Sequence, residues 1–386
     1  MHSFRRSRCA IWSHGLDAAV IAFAALLTIA CVTSDSSPAR TASQVTLERI
    51  GTIGCSACND ERQITPAVLA VLAGERVAIL NPYEPLVRVF DLEGNPLLAF
   101  GTEGQGPGEI GQELPGVGYL PGMWLFGNEL GGITVMDVFP SSLEVFDADG
   151  TFVTRRDSGV RTAVPVGQAF HAETHTYFNL GFTPGPNSPR SLSRCPFEGN
   201  VDVQCESFAD PAEFLAPDGE PGDAVGALAL AATPAGGLIV ANTVTYELWV
   251  LGTDGTIIAR SGRDLPLPLR SEAELEVERE RFARMGRPDA EISPHRMHIE
   301  SYGLQVDGSG RIWVLTGRHE EANSVLDVFS ADGTYLSEVV IDAVVRRAEM
   351  RITPFAARGD LLVVAAQQPD GNDQVWVYRI SPTTRE

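Results

Sequence analysis

The sequence predicts an all-β fold of repeated sheet units, and three observations predict it. A hairpin of constant form recurs along the chain, a further strand lies upstream of each copy, and one orphan strand precedes them all. The founding copy is residues 85–110. Leu86, Arg88 and Phe90 alternate with Val87, Val89 and Asp91, the period of two that a strand requires. Asp91-Leu92-Glu93-Gly94 then supplies a tight turn in which glycine takes the positive φ, and Pro96 to Gly101 is the return strand.

Three further copies follow. Leu143-Glu-Val-Phe-Asp-Ala-Asp-Gly150 leads into Thr151–Thr154, Glu247–Gly255 into Thr256–Ala259, and Leu326-Asp-Val-Phe-Ser-Ala-Asp-Gly333 into Thr334–Ser337. The upstream strands are Arg76–Leu80, Ile133–Asp137, Gly237–Ala241 and Arg311–Thr316. Self-similar β units of about 40–50 residues are propeller blades. The expected blades are residues 66–101, 114–156, 162–209, 225–261, 301–341 and 350–380, four strands each, and the third is degenerate. Gln44–Thr52 alternates Val45, Leu47 and Ile50 with polar residues. It is expected to complete the last blade, because it would otherwise leave an open edge.

Phe100-Gly-Thr-Glu-Gly-Gln-Gly-Pro-Gly-Glu-Ile110, beside Val-Phe-Asp-x-x-Gly, resembles the NHL-repeat-like, TolB-like superfamily of propellers, in particular bacterial exported six-bladed β-propeller proteins. The resemblance spans most of the chain from about residue 44. It implies a six-bladed fold and an exported protein. Metal-dependent lactonases and lyases of this shape imply a channel-mouth Ca²⁺ or Zn²⁺ site as the alternative to a binding function.

The amino terminus reads as an export segment. Arg5, Arg6 and Arg8 precede an apolar run from Ala18 to Ala30, too short for a stable span, and Cys31 follows Leu27-Thr-Ile-Ala30. A small residue before Cys at the end of such a run resembles a lipobox, with Leu27 one position further away than usual. The domain plan is therefore a lipoprotein-type signal at 1–30, a flexible polar tether at 31–43 with lipid on Cys31, and the propeller at 44–386. The expected location is exported and membrane-anchored, periplasmic or at the cell surface.

Composition narrows the partners. The net charge is −21, and all 29 basic residues are arginine. Without lysine there is no P-loop or Schiff-base chemistry, and the acidic balance argues against nucleic acid.

With Cys9 and Cys31 set aside, Cys55, Cys58, Cys195 and Cys205 remain, an even number in an exported chain and hence disulfides. Three pairings are open, of which Cys55–Cys58 with Cys195–Cys205 is the simplest. A redox Cys-x-x-Cys would need a helix N-terminus after a strand, and zinc would need two more ligands.

His171 and His175, and His295 and His298, are spaced poorly for one metal. Asn81, Asn128, Asn179, Asn242 and Asp307 lie near strand ends. Among them Asn242 and Asp307 are the candidates for Ca²⁺, which wants six to eight oxygens, although strand-end Asn and Asp are also turn formers. Asp147, Asp149, Asp254 and Asp332 are read as turn residues. Residues 271–285 read as a helix capped by Ser271, with Leu275, Phe282 and Met285 near one face. Such an insert suits partner docking, with Arg281, Phe282 and Met285 as contacts. The expectation is a module that binds a protein or peptide without a cofactor; the alternative is a Ca²⁺- or Zn²⁺-dependent hydrolase or lyase.

Overall fold

The computed structural model describes residues 45–54, 64, 66, 68–81, 84–114, 118–120, 124–128, 131–138, 141–157, 164–171, 176–182, 190–196, 205–214, 228–284, 286–319, 323–345, 355–367 and 373–382. Six four-stranded antiparallel blades form a ring. From the axis outward, blade one is Val68–Leu72, Arg76–Leu80, Val87–Phe90 and Pro96–Phe100. Blade two is Trp124–Gly127, Ile133–Val138, Ser141–Phe146 and Phe152–Asp157. Blade three is Val164–His171, Thr176–Phe182, Arg190–Pro196 and Glu206–Ala209. Blade four is Leu228–Ala232, Leu238–Asn242, Glu247–Leu251 and Ile257–Gly262. Blade five is Ile299–Val306, Ile312–His319, Ser324–Phe329 and Tyr335–Ile341.

Blade six closes the ring with strands from both ends of the chain. Phe355–Arg358, Leu361–Gln367 and Asp373–Pro382 are joined on the outside by Val45–Ile53, antiparallel from Val45 opposite Pro382 to Ile53 opposite Val375. The amino-terminal strand does what the sequence expects of it. Val344–Val345 adds a short pairing to the end of Leu361–Gln367.

Two boundaries differ from expectation. Blade two starts at Trp124 rather than near residue 114, because Gln112–Leu114 pairs with Gly118–Leu120 as a separate hairpin. Blade five starts at Ile299, within the stretch read as interruption.

The inner strands carry unbroken apolar runs such as Val68-Leu-Ala-Val-Leu72, buried at every position. They lose the period of two because neighbouring blades cover both faces. Each fully buried Val, Leu, Ile or Phe contributes roughly 1.5–3 kcal/mol, and the core is continuous between blades. Ile53, Val71, Ile79, Phe90 and Val363 unite blades six and one, and Ile239, Leu248, Val314 and Phe329 unite four and five.

The outer hairpin turns are built alike. Asp147 Oδ1 accepts the amides of Asp149 and Thr151 at 3.0 and 2.9 Å, Asp91 Oδ1 accepts Asn95 N at 2.7 Å, and Asp332 Oδ1 accepts Thr334 N at 3.1 Å. Gly150 and Gly333 hold φ of 76° and 83°, a conformation that glycine adopts at little cost. Hydrogen bonds from Thr256 hold the Asp254 carboxyl below its ordinary range, as for a carboxylate spent on a turn.

Blade three ties its third strand to the start of its fourth with the disulfide Cys195–Cys205. That is the local pairing named as simplest. Cys31, Cys55 and Cys58 lie outside the described residues.

Candidate functional site: the central channel

Antiparallel strands send successive strand ends to opposite faces of the ring. The first-to-second and third-to-fourth turns share one face, here the turn face. The second-to-third and blade-to-blade connections share the other, which also carries the Gly-rich loop and the helical insertion.

This alternation disperses the oxygen ligands singled out in the sequence. Asn81 and Asn242 end second strands, Asn128 and Asp307 sit in turns on the opposite face, and Asn179 is buried within a strand. The side chains of Asn242, Asp307 and Asn128 are also committed. Asn242 Oδ1 accepts Val244 N and Thr245 N at 2.9 and 3.0 Å, and its Nδ2 donates to Phe214 O at 3.0 Å. Asp307 accepts Ser309 N and Arg311 N on Oδ1, and Arg311 Nε and Trp313 Nε1 on Oδ2, at 2.7–3.0 Å. Asn128 closes its own turn, accepting Gly132 N and donating to Phe146 O.

The histidines are equally scattered. His171 Nε2 lies 3.1 Å from Pro234 O, which links blades three and four. His175 lies outside the described residues. His298 is buried and His295 exposed, and burial, reinforced by Arg318, lowers the His298 pKa. Among the described residues no group of three or more His, Cys, Asp or Glu is placed to hold a metal.

The insertion between blades four and five is a helix, Glu272–Arg284, with a reciprocal cap. Ser271 Oγ accepts Glu274 N at 3.3 Å and Ser271 N donates to Glu274 Oε2 at 2.8 Å. Glu274, Leu275, Glu278, Arg281 and Phe282 are half-buried on one face. Arg296 anchors that face through Glu274, Arg281 lies 3.5 Å from Glu278, and Arg287 stands over the Phe282 ring at 5.5 Å. Arg281 and Phe282 thus hold the insertion together as well as edging its surface. Met285 lies outside the described residues.

Two buried carboxylates at one blade position organise the blade interfaces. Glu144 and Asp327 stand at matching places in the third strands of blades two and five, opposite Val135 and Val314. Asp327 accepts Arg263 Nη1 at 2.7 Å and Arg318 Nη2 at 2.6 Å, and Tyr246 Oη also donates to it. Glu144 accepts Arg155 Nε. Arg155 also donates to Gln105 O, Gly106 O and Glu109 O, so it clamps the Gly-rich loop over the interface of blades one and two. Glu109 folds back on Gly106 N, and a Cβ at Gly104 or Gly106 would strike its carboxylate. Beneath the loop, Asp137 Oδ2 accepts Gly111 N at 3.0 Å while Oδ1 is buried without a hydrogen bond. Burial, only partly opposed by that bond, pushes the Asp137 pKa up to about 7.

Among the described residues, the axial channel has room for a ligand. It encloses about 460 Å³ and is lined by the inner strands of all six blades, a volume within the range of small-molecule sites. Blades one, four and six contribute aliphatic lining, with Val68–Val71, Leu228–Ala232 and Ala356–Ala357. Blades two, three and five contribute aromatic rings, with Trp124, Phe126, Phe170, Tyr177 and Tyr302. Phe126 stacks on Phe170 at 3.6 Å between blades two and three. Trp124 meets Tyr302 edge to face at 6.5 Å. Those two residues belong to blades two and five, three apart in a ring of six, so they touch across the axis. Sequence reasoning missed these aromatics because inner-strand residues read simply as core; only the unusual Tyr302-Gly303 pair within a strand was a signal.

No protein-family model matches the chain, and no curated protein matches its sequence. Among solved structures it is similar to a member of the DUF4221 family from Bacteroides vulgatus, with 11% identity, TM-score 0.52, and coverage of 89% of this chain and all of that one. At lower similarity come a gluconolactonase of Xanthomonas campestris (14% identity, TM-score 0.42, 83% and 87% covered) and a virginiamycin B lyase of Staphylococcus aureus (11%, 0.43, 87% and 99%). At these identities the first likeness speaks for the fold alone, and the other two carry no argument.

Proposed function

We propose that this chain is an exported binding module, tethered to the membrane through Cys31, whose axial channel takes a small, largely apolar ligand. The observation that carries the reading is the channel itself: about 460 Å³, walled by aliphatic and aromatic side chains from every blade. Mostly apolar walls with a few polar groups suit the burial of a small ligand. Asn242 and Asp307, on opposite faces, and His171 are engaged in turns and blade contacts. The Cys195–Cys205 disulfide fits an oxidising compartment, as the export segment does. This reading moves the binding site from the helical insertion to the channel, since Arg281 and Phe282 are engaged within the insertion.

The test is titration of the purified protein with a neutral environment-sensitive dye, N-phenyl-1-naphthylamine, beside Ala357→Leu, which fills the channel from a half-buried position. Saturable binding that weakens at least about tenfold in the variant, at unchanged melting temperature, supports the reading; tenfold is about 1.4 kcal/mol. Absence of saturable binding, or equal binding by the variant, overturns it. Chelator-sensitive hydrolysis of a lactone or ester would replace it with the enzymatic alternative. Cys31→Ser should leave the protein soluble or unprocessed; a variant processed and membrane-bound like the parent refutes the tether.

A further inference from the structure

We infer that the channel ligand carries a single carboxylate at the end of its apolar body, and that Arg358 receives it. The inference rests on the channel reading above and names the ligand class. Arg358 ends the inner strand of blade six and lines the channel near the turn face. Its guanidinium reaches past blade one: a Cβ on Gly127 of blade two would lie 3.1 Å from Arg358 Nη1 and 3.4 Å from Leu72 Cδ2. A glycine therefore leaves the seat that the guanidinium occupies.

In a chain of net charge −21, arginines find carboxylates easily, and most described ones here do. The Arg358 side chain has no hydrogen bond or ion pair among the described residues. Among the described residues, Asp307 in the same channel lining and Asp360 two residues on are already engaged. Asp307 binds Arg311 and Trp313, while Asp360 and Glu75 both bind Arg379. Gln305, on the adjacent inner strand, lines the same channel, and its side chain likewise makes no hydrogen bond among the described residues. The ends of those two strands are joined where Gly308 N donates to Gly359 O at 2.9 Å.

A fixed cation and an amide donor beside an apolar cavity complement an amphipathic carboxylate: the guanidinium offers paired N–H donors, the amide a third, and the walls take the chain. A neutral apolar ligand would leave the charge without a partner, and an ammonium would be repelled.

The experiment compares decanoate, methyl decanoate and decylamine as competitors of N-phenyl-1-naphthylamine in the wild type, Arg358→Met and Gly127→Ala. Decanoate should compete about 10–100-fold better than its methyl ester, as for a hydrogen bond to a charged group. Arg358→Met should remove that preference while keeping the dye, and Gly127→Ala, which displaces the guanidinium without removing its charge, should reduce it. If the dye binds but decanoate and its ester compete equally, or Arg358→Met retains the preference, the carboxylate inference fails and the channel reading stands. If the dye does not bind at all, both fail.

Discussion

Trp124 and Tyr302 meet edge to face across the axis, their ring centroids 6.5 Å apart, although they belong to opposite blades. Tyr302 reaches that position with φ at 59°, a left-handed conformation that costs a bulky residue about 1–3 kcal/mol. The strand is irregular there, its register shifting between Ile299 and Leu304. Tyr302→Gly keeps the backbone geometry without the strain and removes the ring. It should accelerate dye association in stopped-flow measurements while changing stability by less than about 1–2 kcal/mol, because relief of strain offsets lost packing. Unchanged association kinetics would remove the aromatic pair from the ligand's path.

The Arg155–Glu144 pair makes a second case. Glu144 is fully buried, so Arg155→Met leaves an uncompensated internal carboxylate and should cost about 3–5 kcal/mol in urea denaturation. The double variant with Glu144→Leu should recover much of that loss. Both variants should become sensitive to proteolysis within residues 101–111, which Arg155 clamps. A loop still resistant in Arg155→Met would show that its glycine turns hold it unaided.

Asp137 sets a pH dependence whose sign follows from its raised pKa. The unfolded chain releases this proton near 3.8 and the folded protein near 7. Between those values the native state binds the extra proton, so the contribution to stability is complete below about 4 and is lost as pH rises toward 7. The loss is on the order of 4 kcal/mol at 1.36 kcal/mol per unit. Asp137→Asn should flatten the fall, so that the variant gains on the wild type between pH 4.5 and 8 in parallel denaturant titrations. Parallel pH profiles for the two proteins would exclude an ionising Asp137.

Deletion of residues 1–53 should abolish a stable fold. It strips the outer strand from blade six, exposes the edge of Asp373–Pro382 and takes the buried Ile53 and Val45 out of the core. As a milder probe, Ile53→Ala should cost about 2–5 kcal/mol, whereas Thr46→Ala, exposed on the same strand, should cost little. Equal melting temperatures for Ile53→Ala and the parent would mean that the closure is dispensable.

The sequence by itself determined the elements whose chemistry is local. Alternating Val-Phe-Asp strands, Asp-Gly turns closed by their own carboxylates, the capped helix at Ser271 and the nearby Cys195–Cys205 pair each depend on residues within a dozen positions. They were legible for that reason. The orphan strand was legible too, because an unpaired edge has one place to go in a closed ring. The candidate site was not. Tertiary structure alone sets Trp124 against Tyr302 and lays Arg358 over Gly127, since ring closure joins strands distant in sequence. It also sends Asn242 and Asp307 to opposite faces, because antiparallel strands alternate direction, so residues alike at strand ends in the sequence never converge.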